Sequence, residues 1–302
     1  MPNNTFASIK LMLCIRLFHT RGQKSAGLYI LFMFYLLRRL LRQPSIAGAT
    51  GGENDTMSET RIAVGTHSAG ITERVTHASQ FEYPVAARLT KDEVCAFIED
   101  TGIIPSLSQA SEEDALFAAD ALAEAGIPIV EIGMNAPDAL DIVSHLVKHA
   151  PTMIVGAGNL RNMDTARKCL NAGVRFLATD GMISGVVEFA AKEKLVSVSG
   201  ALTLTEVISA WDAGADFVKV VPCYAVGGHK YIQTLKAAVP QVRLIAAGGV
   251  NQLTALNYVM AGVAALSVGK ELIPTEAIQL RQTRRIQELA RRFLTAVDNG
   301  RV

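Results

Sequence analysis

The chain has 302 residues, half of them apolar, and a net charge of +1 at pH 7. That length supports a large core, and a single α/β barrel of about 250 residues fits within it. The near-neutral charge argues against a nucleic-acid binder working by bulk electrostatics. Four scattered cysteines (Cys14, Cys95, Cys169, Cys223), with no CxxC pair, argue against a disulfide framework and fit a reducing compartment.

Charge is unevenly spread. Residues 1–56 carry seven Lys/Arg and two acids, +5, whereas residues 57–302 carry 22 and 26, −4. Residues 1–52 hold no Asp or Glu, and the run GLYILFMFYLL (27–37) is flanked by Lys24 and by RRLLR. Its 11 residues fall short of the roughly 20 that span a bilayer. A secretory signal would place the basic cluster before the apolar run, not after it. An Arg-rich, acid-poor organelle transit peptide, a membrane anchor, and a tract outside the mature protein, with Met57 as the start, are the competing readings. None touches the chemistry below, and a cytoplasmic location is expected unless residues 1–56 target the chain elsewhere. Residues 57–90, rich in Thr and Ser, read as a mobile leader, and the catalytic domain is placed at 91–302.

From about residue 91 short β-rich runs alternate with helical patterns. The expected strands are GIIPSL (102–107), IPIVEIG (127–133), TMIVGAG (152–158), VRFLAT (174–179), LVSVS (195–199), DFVKVV (216–221), VRLIAA (242–247) and AALSV (264–268). Several are apolar throughout, as parallel strands covered on both faces are. Ser111 caps the helix over EEDALFAADALAEAG, with Asp114 three residues on and Gly126 to stop it. A last helix is expected over about 276–298, with Ile286, Leu289, Ala290, Phe293 and Val297 on one stripe and its arginines in solvent. Eight such units predict a (β/α)8 barrel; a doubly wound open sheet is the alternative.

Function in such a barrel sits where strands end. The second strand carries Glu131 and the sixth Lys219, both within apolar runs. An ammonium or carboxylate out of water is tolerated only when paired or neutral. Lys219 therefore reads either as an amine kept neutral by desolvation, able to attack a ketone and form a Schiff base, or as a snorkelling lysine or plain ion-pair partner of Glu131. Asn159 and Asp180 close the third and fourth strands. GGV after the seventh strand (Gly248, Gly249) and VGK after the eighth (Gly269) fit a backbone phosphate cradle; tight turns that need glycine read equally well. His145 and His149, four apart on a helix, lie far from any strand end and lack a third metal ligand. His229 and Cys223 lie near the end of the sixth strand, where Cys223 is expected to be accessible.

These motifs, in the order GIIPSL, AEAGIPIVEIGMNAP, IVGAGN, AGVRFLATDG, ALTLTEVISAWDAGADFVKVVPCYAVGG and AAGGVN, resemble the class I aldolases that cleave 2-keto-3-deoxy-6-phosphogluconate and 4-hydroxy-2-oxoglutarate. The likeness covers about residues 91–273. It implies a (β/α)8 barrel, a homotrimer, no metal and no cofactor. It puts the Schiff-base lysine on Lys219, the catalytic glutamate on Glu131, and the phosphate site on Gly248, Gly249 and Gly269. The recognition residues depart from the family pattern. Asn135 stands where the family has Arg, Asn159 where it has Thr, Asp180 where it has Pro, Ala247 where it has Thr, and Ser108 near a frequent Arg. The Arg and Thr hold the pyruvyl carboxylate in the family, so Asn135, Asn159 and Asp180 are expected to contact substrate here.

Three readings follow. The first is a lyase that releases pyruvate and an aldehyde from a 2-keto acid through Lys219. The second is a diverged barrel that binds a phosphorylated metabolite without turnover. The third is a phosphosugar isomerase or epimerase, which would have no use for Lys219.

Overall fold

The computed structural model describes residues 83–108, 110–136, 138–183 and 185–301. The basic tract and the leader up to residue 82 lie outside them. Eight parallel strands close in chain order: β1 (Ile103–Leu107), β2 (Ile129–Gly133), β3 (Ile154–Leu160), β4 (Phe176–Thr179), β5 (Val196–Ala201), β6 (Phe217–Val220), β7 (Leu244–Ala247) and β8 (Ala265–Val268). β1 pairs with β8 through Ile103–Leu266, which closes the barrel and removes the open-sheet alternative. The helices are α1 (Lys91–Thr101), α2 (Glu112–Glu124), α3 (Ala139–His149), α4 (Met163–Asn171), α5 (Val186–Lys192), α6 (Leu204–Asp212), α7 (His229–Ala238), α8 (Ala255–Met260), α9 (Thr275–Gln279) and α10 (Thr283–Gly300).

Local chemistry accounts for the boundaries. Ser111 Oγ accepts from the Asp114 amide at 3.1 Å, as its spacing predicts. α1 precedes the first strand and was not expected. Its start is a capping box: the Glu93 amide donates to Thr90 Oγ1 at 3.3 Å, and the Thr90 amide donates to Glu93 Oε2 at 2.8 Å. The end of the expected leader also belongs to the barrel. Ala86 and Leu89 are buried, and the Ala86 amide donates to Pro151 O at 2.8 Å. The last helix is two helices, not one. Arg281 breaks it at φ +50°, held by Asp114 Oδ1 at 2.9 Å and by its guanidinium lying 5.0 Å from the Phe117 ring centre. α10 then buries Ile286, Ala290, Phe293, Leu294 and Val297 on one face.

Register sets what the barrel encloses. Glu131 pairs with Ser106 and Gly156, Lys219 with Gly200 and Ile245, and Ala247 with Ser267. Side chains alternate along a strand, so residues of this parity share the interior. Its closed end is filled by bulk such as Phe176 and Phe217, both fully buried. Towards the C-terminal ends the same parity brings Gly158 and Gly200, and the polar groups take the space these residues leave.

Candidate active site

Glu131 and Lys219, on strands four apart in the barrel, meet inside it: Lys219 Nζ lies 3.5 Å from Glu131 Oε1. Each side chain is only 3% exposed. Glycine makes this approach possible, because a Cβ on Gly158 would lie 2.2 Å from Glu131 Oε1. Glu131 Oε2 is buried with no hydrogen-bond partner. A buried carboxylate oxygen without a partner calls for a functional explanation.

A third charged group completes the cluster. Asp180, one residue past β4, places Oδ1 3.0 Å from Lys219 Nζ. Its second oxygen accepts from Asn159 Nδ2 at 2.5 Å. Two backbone features aim it. Asn159 adopts φ +52°, where β3 shifts register between Ala157 and Leu160, and Asn tolerates this left-handed region better than most residues. Gly200 lets the Asp180 main chain cross close above β5: a Cβ there would lie 2.1 Å from the Asp180 carbonyl carbon. The Gly200 amide is itself tied to Thr179 Oγ1 at 3.1 Å.

Electrostatics reverse one expectation. Burial alone pushes the Lys219 amine towards its neutral form, but Glu131 and Asp180 outweigh it and raise its titration above the ordinary lysine range. Lys219 is therefore held as an ammonium, not as the neutral amine that desolvation alone suggests. Asp180 shows the mirror image. Partial burial pushes its carboxyl up, yet Lys219, the Asn159 hydrogen bond and the charge of Arg161 together hold it below the usual carboxylate range.

The altered recognition residues also gather. A Cβ on Gly133 would lie 2.6 Å from Ser108 Oγ, 2.7 Å from Asn135 Oδ1 and 2.7 Å from Asn159 Oδ1, so three neutral oxygens converge at the mouth beside Glu131. Ala247, at the end of β7, adds no polar atom. Gly248 and Gly249 have φ of +74° and +82° and pack beneath the turn after β6, where the Tyr224 amide donates to Gly248 O at 3.2 Å. Their conformation accounts for glycine on its own. Gly269 follows β8 on the same rim without a positive φ.

The remaining candidates lie apart or are closed. Cys223 is buried rather than accessible: its thiol donates to Val220 O at 3.0 Å, and burial pushes its pKa up to about 11. A low thiolate fraction in an enclosed site is the opposite of a nucleophile's setting. His229 begins α7, edge-on to Tyr258 at 6.3 Å. His145 pairs with Glu112 at 3.0 Å and stacks 4.4 Å from His149, away from the strand ends. No group of three metal-ligating side chains occurs among the described residues. Sequence reasoning missed that Asp180 faces the lysine, and it missed Arg161. The signal for both was position alone: each is the first residue beyond a strand whose end enters the site.

Comparison with known proteins places the chain in a family. Residues 94–289 match the family described as "Aldolase: KDPG and KHG aldolase", and the chain belongs to that family. It is 26% identical over 189 residues to the KHG/KDPG aldolase of Escherichia coli, covering 63% of this chain and 89% of that one. It is 28% identical over 172 residues to a probable 2-dehydro-3-deoxy-6-phosphogalactonate aldolase of Rhizobium meliloti, covering 56% and 81%. Its fold matches the crystal structure of KDPG aldolase from Legionella pneumophila, with pyruvate captured as a covalent carbinolamine, at a TM-score of 0.62 and 26% identity, covering 65% and 96%. The chain is thus a lyase of the class I aldolase kind, and the isomerase and binding-only readings are not favoured. No helix among the described residues is long and apolar enough to cross a membrane.

Proposed function

We propose that the chain cleaves a 2-keto acid, either phosphorylated like 2-keto-3-deoxy-6-phosphogluconate or unphosphorylated like 4-hydroxy-2-oxoglutarate, to pyruvate and an aldehyde, with Lys219 as nucleophile and Glu131 as proton shuttle. The observation that carries this is the Lys219 amine, enclosed in the barrel within 3.5 Å of Glu131 and 3.0 Å of Asp180.

Lys219, once deprotonated, attacks the C2 ketone, and loss of water leaves a protonated Schiff base. The iminium draws electrons as the C3–C4 bond breaks, and Glu131 takes the proton of the C4 hydroxyl. The aldehyde departs. The enamine left on Lys219 is protonated, and hydrolysis frees pyruvate and the amine. Asn135, Asn159 and Asp180 contact the keto-acid end in this reading. A phosphate rests against the backbone at Gly248, Gly249 and Gly269, among the loops after strands seven and eight where barrels of this type often hold phosphate. The same reading takes the protein as a cytoplasmic homotrimer without cofactor; exposed Tyr224, Leu253 and Met260 offer apolar surface for association.

The test is reduction with borohydride in the presence of pyruvate, followed by peptide mass spectrometry. A pyruvyl adduct on the peptide containing Lys219 is the expected result. An unmodified Lys219, or an adduct elsewhere, would refute it.

A further inference from the structure

Two carboxylates share one amine here, and their surroundings differ. Asp180 is nearer to Lys219 Nζ, at 3.0 Å against 3.5 Å for Glu131. Its side chain is 48% exposed, while that of Glu131 is 3% exposed. Asp180 can thus exchange protons with water, and Glu131 is sealed from it. The local backbone is arranged to hold Asp180 there: Gly200 makes room for its main chain, and Asn159, in left-handed conformation, anchors Oδ2 so that Oδ1 faces the nitrogen. The family pattern has Pro at this position, which cannot titrate.

We propose that Asp180 is a second catalytic carboxylate, which carries the Lys219 protons during Schiff-base formation and leaves Glu131 for the carbon–carbon bond. This rests on Lys219 being the Schiff-base lysine. The proton balance closes without any added reagent. The ammonium gives one proton to Asp180, and the free amine forms its bond to C2 as the C=O π bond opens. The alkoxide takes that proton from Asp180, giving a protonated carbinolamine. Its nitrogen then returns a second proton to Asp180, which passes it to the carbinolamine hydroxyl. Water leaves, the iminium keeps one N–H, and Asp180 is again a carboxylate.

A pH profile separates this from a merely structural role. The charged groups facing Lys219 are Glu131 from β2 and Asp180 from the end of β4, with Arg161 acting on Asp180 from beyond β3. The flanking strands present Gly200 and Ile245, which do not titrate. With an internal acceptor, the rate of adduct formation does not depend on the small fraction of free amine. Without one, the proton must leave to water first.

The experiment uses the full chain, pyruvate and rapid borohydride quenching, with the adduct on Lys219 counted by mass spectrometry from pH 6 to pH 9. The unchanged protein should give a flat rate. Asp180→Asn should be slower at pH 7 by about 100-fold, the lower range for losing a general acid–base group, and should rise about tenfold per pH unit as free amine accumulates. Asp180→Glu, which keeps a carboxylate on a longer arm, should recover the flat profile. A flat profile within threefold of the unchanged rate in Asp180→Asn would overturn the proposal and show that Glu131 suffices. Equal loss in the Asn and Glu variants would also overturn it, as an effect of shape. Failure of the unchanged chain to form any adduct would sink the reading of Lys219 itself, and this proposal with it.

Discussion

At the scale of single residues, the contacts around Lys219 decide what its removal does. Considered as an isolated buried charge, Lys219 would seem replaceable by Met with a gain in stability. The structure points the other way, because Glu131 would then be left buried without a cation. Breaking a buried pair by deleting one partner typically destabilises by about 3 kcal/mol or more. Lys219→Met should therefore be inactive, and its denaturant midpoint should fall. Adding Glu131→Gln should restore much of that loss without restoring activity. Retained aldol cleavage in the single variant would disprove the lysine's role. The recognition residues give a second prediction. Restoring both family residues, Arg at 135 and Thr at 159, is the obvious experiment on sequence grounds, but β-branched Thr would be strained at the φ of +52° that Asn159 adopts. It would also release Asp180. Asn135→Arg alone is the cleaner change. A charge-assisted hydrogen bond exceeds a neutral one by about 1–1.5 kcal/mol, so pyruvate should bind about 10-fold more tightly, as read by the pyruvate concentration that half-saturates trapping. Unchanged or weaker binding would mean that the mouth of this site is shaped for something other than a carboxylate.

At the scale of elements, the glycines of the barrel interior divide into those that make room and those that only turn. Gly158→Ala would place a methyl 2.2 Å from Glu131 Oε1 and must displace that carboxylate. Misplacing a catalytic group by about 1 Å can lower the rate about 100-fold, so kcat should fall steeply while circular dichroism still shows an α/β fold. Gly214, at φ +91° with nothing within 4 Å of its would-be Cβ, is the control. Gly214→Ala should lower stability by about 1 kcal/mol and leave kcat alone. Equal kinetic losses in the two variants would argue that barrel strain, not the position of Glu131, governs the rate. The same contrast explains what the sequence made legible. All eight strands could be placed within two or three residues, because parallel strands covered on both faces leave continuous apolar runs and each unit repeats the last. Glu131 and Lys219 stood out because charge is rare inside such runs. What escaped notice was set by neighbours distant in sequence. α1 has a mixed, short apolar face and announces itself only through its Thr90–Glu93 box. The break at Arg281 has no Gly or Pro to mark it and depends on Asp114 and Phe117 of α2. Asp180 turns towards the lysine only because Gly200, a strand away, gives its backbone room.

At the scale of the whole molecule, the buried cluster links stability to pH. Asp180 titrates lower in the fold than its ordinary value near 3.8, so its contribution is present above that value and is lost as acid protonates it below. Lys219 titrates higher than its ordinary value near 10.5, so its contribution is complete below that pH and is lost as alkali removes the proton above it. Between the two the cluster's contribution should be level. Asp180→Asn should flatten the acid edge of a stability–pH curve, and an acid edge left unchanged would show that other carboxylates govern it. The remaining prediction concerns the division of the chain. Every residue assigned a role lies between Ser108 and Gly269, and the closure of β1 on β8 uses residues 103–268. Among the described residues, the Ala86 amide ties the segment before α1 to Pro151 O. Residues 1–56, with their +5 charge, lie outside the described residues and contain none of the residues assigned a role. A chain beginning at Met57 should therefore be soluble and should match the full chain in kcat/KM and in thermal midpoint. It should also elute later from an anion exchanger, since +5 is removed and −4 remains. Insolubility, or a drop in either kinetic or thermal measure, would make the basic tract part of the working fold rather than an extension of it.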